Sequence, residues 1–109
     1  MINVLLQRVE ENEKLTDEQK KDRKLELKAY WQKNNKQLFK LEAKYSKKRD
    51  DFIIYIKIMG IYYELRRICE GAETVPFMPG DNFIEETEAF ANRLRRDSFE
   101  MFCQNNNLN

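Results

Sequence analysis

Apolar residues return every three or four positions along most of this 109-residue chain, the spacing of one face of an α-helix. Ile2, Leu5, Leu6 and Val9 set that period first and predict a short amphipathic helix over residues 2–13. Thr16-Asp17-Glu18-Gln19 then reads as a capping box, with the threonine hydroxyl accepting from the amide three residues on. Beyond it, Leu27, Trp31, Leu38, Leu41, Tyr45, Phe52, Tyr55, Met59 and Tyr62 follow a three–four alternation, and polar Asn34 and Lys48 fill two of its places. A repeat this long predicts a central helix with a coiled-coil-like seam, ending at Gly71, a residue type suited to a helix C-terminus.

The stretch from Phe52 to Tyr63 is rich in isoleucine and tyrosine and has high strand propensity. Helix is the expectation there, because both flanks are helical and no second strand region exists to pair with it. Such a helix is apolar on nearly every side and must be buried on nearly every side. Residues 71–81 carry Pro76, Pro79 and Gly80 and read as a loop. Asn82 with Glu85 offers a cap for a last helix, one face of which is traced by Phe83, Thr87, Phe90, Leu94 and Met101. Residues 1–104 are expected to form a single helical domain, with 105–109 a frayed polar tail.

Length constrains the assembly. One helix over residues 17–70 would be ~80 Å long, whereas the first and last helices would cover only about 50 Å of it. Either the long element breaks in the polar run from Ser46 to Asp51 and folds back, or a second copy packs along it. The expected fold class is therefore all-α, a helical bundle or a coiled-coil-like dimer, with a homodimer slightly preferred. The scarcity of turn residues, three glycines and two prolines, argues against sandwiches and barrels.

Net charge adds little, since 20 basic residues face 19 acidic ones, but its distribution is uneven. Thirteen basic residues meet six acids between Lys14 and Asp50, while three arginines meet eight acids between Glu70 and Glu100. At about 100° per residue, Lys33, Lys36, Lys40, Lys44 and Lys47 form one stripe roughly opposite the apolar seam. Lysines at one-turn spacing can follow a phosphate backbone, and Tyr30 or Phe39, lying off the seam, could stack on bases. Against that, lysine is a good helix former on a solvated face, and the stripe has no arginine to read base edges.

Candidate chemistry is sparse. The chain has no histidine to serve as a base near neutral pH, only Ser46 and Ser98 as serine nucleophiles, and no glycine-rich loop to cradle a phosphate. Glu85, Glu86 and Glu88, with Asp81 before them, are placed to answer the dipole of the last helix. Cys69 and Cys103 could form one disulfide, but buried, inert thiols are the expectation. The reading singles out no catalytic, cofactor-binding or metal-binding residue and expects no enzyme. The apolar stretch from Phe52 to Leu65, interrupted by Lys57 and Glu64, is shorter than the about 20 residues of a membrane span. The opening residues make too brief an apolar run for a signal peptide, so a cytoplasmic location is expected.

What remains is binding. The excess of apolar and aromatic helix surface points to a protein-interaction module, an adaptor, assembly factor or small inhibitor that occupies a partner protein's surface. The expected contacts are Tyr62 and Tyr63 from the apolar run, with Phe77 and Met78 from the proline-bracketed loop. The alternative is a nucleic-acid-binding protein using the stripe from Lys33 to Lys47.

Overall fold

A computed structural model of the chain describes residues 1–71 and 81–105, with the side chains of 1–71 and 84–97. Among the described residues there are four helices and no strand: α1 (Ile2–Glu10), α2 (Asp17–Lys47), α3 (Phe52–Glu70) and α4 (Asp81–Asn105). The fold is an all-α bundle.

Local chemistry explains most of the boundaries. Helix α1 stops at Glu10, short of the expected residue 13, because Asn12 takes over the backbone. Its side-chain oxygen accepts from the Lys14 amide at 3.0 Å and its amide donates to the Cys69 carbonyl at 3.2 Å, a local alternative to helix. The capping box at α2 is present in both directions: Gln19 N donates to Thr16 Oγ1 at 3.2 Å, and Thr16 N donates to Gln19 Oε1 at 2.9 Å. Asn34, a polar intruder on the apolar seam, is half-buried and donates to the Tyr30 carbonyl one turn back at 2.9 Å. Helix α4 already includes Asp81, so Asn82 lies inside its first turn rather than at the cap.

The long element breaks. Lys48 leaves helical geometry at φ −141°, and the Asp51 carboxylate then caps α3 by accepting from Ile54 N at 3.2 Å. The polar run from Ser46 to Asp51 has no apolar side chain to anchor to the core, so nothing holds the backbone in one helix through it. The chain folds back, and α3 returns antiparallel along α2. Tyr45 meets Tyr55 with ring centroids 5.7 Å apart, and farther from the turn Arg67 donates to Glu26 at 3.1 Å. At about 1.5 Å per residue, the 31-residue α2 outreaches the 19-residue α3, and α1 packs against both of them. With the element broken, the length argument for a second copy falls away.

Helix α3 is the centre of the bundle and packs against all three other helices. It supplies Ile58, Met59, Ile61, Tyr62, Leu65, Ile68 and Cys69 to the core. Leu27, Leu38 and Leu41 meet it from α2, Val4, Leu5 and Val9 from α1, and Phe90, Ala91 and Leu94 from α4. The Phe52–Tyr63 stretch is thus helical, burial in the bundle overriding its strand propensity. Charged side chains lace the helices at the rim: Arg8 to Asp97, Lys24 to Glu10, and Arg66 to Glu86 at 2.9 Å. No helix among the described residues is long and apolar enough to cross a membrane.

The Cα extents are 41 × 39 × 25 Å. With helices about 10–12 Å across, the thinnest dimension holds about two layers of helices.

Candidate interaction surfaces

The side of α3 turned away from the core is largely apolar. At about 100° per residue, Ile53, Ile56, Gly60 and Tyr63 fall on the side of α3 opposite Leu65, Ile58 and Ile61. Phe52 is 62% exposed and Ile53 68%, and Ile56, Gly60 and Tyr63 are half-buried. Singly scattered exposed apolar side chains need no explanation, but Phe52 and Ile53 are neighbours at the start of α3. Lys57 and Glu64 lie along one edge of the same face.

Tyr62, expected from the sequence to meet a partner, instead lies inside the fold at 0% exposure. Its hydroxyl donates to Glu42 Oε1 at 2.6 Å. The Arg95 guanidinium lies 5.2 Å from its ring centroid and donates to the same carboxylate oxygen at 3.3 Å. Burial, and then the neighbouring Glu42 charge, push the Tyr62 phenol well above the ordinary tyrosine range. The group is a strut joining α2, α3 and α4. Glu42 and Arg95 also line a cleft of about 360 Å³, together with Tyr45, Tyr55, Met59 and Glu88. In that cleft burial, followed by the Glu88 charge, raises the Tyr55 phenol to about 12. Phe77 and Met78, the other two expected contacts, lie outside the described residues.

The lysine stripe is a surface feature. Lys33, Lys36, Lys40, Lys44 and Lys47 are all exposed on α2, and no ion pair among the described residues includes any of them. No acid occurs between Glu26 and Glu42, and both of those carboxylates are drawn to arginines, Arg67 and Arg95. Phe39, next to Lys40, is 54% exposed, and its ring meets Trp31 edge to face at 5.9 Å. Tyr30 is half-buried between α2 and α3, where burial and then the Glu64 charge raise its phenol to about 12. Of the two aromatic candidates for stacking, only Phe39 presents its ring outward.

Cys69 is buried with a free thiol that donates to the Leu5 carbonyl at 3.8 Å, and burial raises it to about 12. That is the environment of an inert core thiol. Among the described residues no three cysteine or carboxylate side chains converge to hold a metal ion.

Sequence reasoning missed Phe52 and Ile53 as surface residues. The run they belong to is apolar all round, so its period gives no sign of which side faces in. No protein-family model, curated protein or solved structure matches the chain.

Proposed function

We propose that this protein is a non-enzymatic interaction module that works through the outward face of α3. The observation that carries the reading is the exposure of Phe52 and Ile53 at the start of a face that continues through Ile56 and Gly60. A helix face of this kind is read by a partner as anchors one turn apart, laid against another helix or into a groove. Ile53→Lys changes only an exposed side chain, so the fold survives while the anchor is lost. Used as tagged bait in extract of the producing cell, the wild-type chain is expected to retain a partner that the Ile53→Lys chain does not. Equal retention by both would sink the reading.

A second reading, nucleic-acid binding, is favoured by the five exposed lysines on α2, none of them in an ion pair among the described residues, and by the outward ring of Phe39. It requires affinity for labelled RNA or DNA that falls steeply with salt and weakens when Lys36, Lys40 and Lys44 are changed to glutamate. Fluorescence anisotropy at low and moderate salt decides it. Weak binding indifferent to both salt and charge reversal would remove it.

A further inference from the structure

We infer that the exposed face of α2 is a track for single-stranded nucleic acid, held through its phosphates along the lysine stripe and through an unpaired base on Phe39. The inference rests on the nucleic-acid reading of that stripe and goes on to name the form of nucleic acid it takes. Charge and openness come first. Between residues 21 and 47, the exposed positions of α2 hold seven lysines, Lys21, Lys28 and the five of the stripe, against a single acid, Asp22. The other acids of this stretch, Glu26 and Glu42, are half-buried and engaged by Arg67 and Arg95. With so little opposing charge of its own, the face is complementary to a polyanion, whose condensed counterions are released when lysines take their place.

The single strand follows from shape and from Phe39. From Lys33 to Lys47 the stripe runs about 21 Å along one side of the helix, with about one lysine per turn. A duplex winds its phosphates away from such a line, whereas a flexible single strand can be laid along it. Phe39 is 54% exposed, and Trp31 meets its ring edge to face at 5.9 Å, which orders the ring before any ligand arrives. Lys36 lies one turn before it and Lys40 adjoins it, so cationic groups stand beside the ring. An aromatic ring stacks on a base only where that base is unpaired and its face is free. Lysine contacts and stacking read no base edge, so binding is expected to tolerate many sequences.

Fluorescence anisotropy tests this with a labelled, mixed-sequence single strand of about 12 nucleotides and the matching duplex, each titrated with the full chain. The single strand is expected to bind more tightly than the duplex. Its affinity should fall with salt at a log–log slope of about −3, the counterion release of about four or five neutralised phosphates. Phe39→Ala should weaken single-strand binding about fivefold or more, and Phe39→Tyr, which keeps the ring, should retain it. Lys40→Glu is expected to weaken it by a similar factor. Arg96→Glu, the same charge change at an exposed position on α4, should alter it less than about twofold. Each of these side chains is exposed, so the variants keep the fold, which circular dichroism checks.

Duplex bound as tightly as the single strand overturns the inference, as does single-strand binding indifferent to Phe39→Ala. Either result leaves the nucleic-acid reading in place as long as the affinity still depends on salt and on Lys40. Equal weakening by Arg96→Glu and Lys40→Glu reduces the track to overall charge, and that too overturns the inference. Binding of neither form at low salt removes the inference and the reading together. Leu25, 59% exposed, and Phe39 would then be tested as anchors in a membrane, by sedimentation with phosphatidylcholine–phosphatidylserine vesicles. Capture by those vesicles that Lys40→Glu weakens assigns the face to an anionic lipid surface in place of a nucleic acid.

Discussion

Gly71 shows how much one residue carries. It ends α3 in the left-handed region at φ 68°, where any side chain is strained. A Cβ there would also stand 2.6 Å from Cδ2 of Leu15, the residue that leads into α2. Gly71→Ala is expected to cost about 1–2 kcal/mol from backbone strain alone, with displacement of Leu15 added to it. Urea denaturation measures that loss, and an unchanged midpoint would mean that the helix end relaxes freely. The glycine was legible as a stop signal in the sequence, since it follows the last apolar turn. Its contact with Leu15 was not, because the two are 56 residues apart and meet only through the fold. Tyr62 taught the opposite lesson. Its apolar surroundings in sequence suggested an anchor for a partner, yet the carboxylate that receives its hydroxyl comes from α2 of the same chain.

At the level of elements, the cap of α2 was read correctly, Asn82 as the cap of α4 was not, and the break was located but left open. Thr16 and Gln19 form the expected reciprocal pair, because that device is local and needs only four consecutive residues. Asp51 does for α3 what Thr16 does for α2, and the α2–α3 turn depends on it. Asp51→Ala removes the acceptor for Ile54 N and is expected to destabilise the protein by about 1 kcal/mol. The urea midpoint of this variant should fall while its helical circular dichroism at zero denaturant stays near wild type. An undiminished midpoint would show that packing of Tyr45 on Tyr55 alone holds the turn. Helix α1 ended early for a reason also local, the Asx geometry of Asn12, but its second bond, to the Cys69 carbonyl, is tertiary.

In the whole molecule, burial gathers four weak acids whose ionisation the fold resists. Tyr30, Tyr55 and Cys69 are raised to about 12 and Tyr62 is raised as well, in every case chiefly by burial. In the unfolded chain cysteine and tyrosine lose their protons near pH 9 and 10. The unfolded state therefore sheds protons first as pH rises, and stability falls with it. The contribution of these groups is fully present below about pH 9 and is lost progressively toward pH 12. A series of urea midpoints from pH 7 to 11 should be insensitive to these groups at the lower end and decline above pH 9. Tyr62→Phe should flatten that decline. A flat profile in the wild-type chain would contradict the burial of these phenols.

The sequence by itself determined that the chain is helical, where its first long helix is capped, and that its basic residues gather on one side of that helix. Each of these follows from interactions that span a few residues: periodicity, local hydrogen bonds and one-turn spacing. Tertiary structure decided which side of the apolar α3 faces in, and so turned Tyr62 into a strut and Ile53 into surface. A helix apolar on all sides carries no internal instruction about orientation. The carboxylate of Glu42, the guanidinium of Arg95 and the three neighbouring helices supplied one.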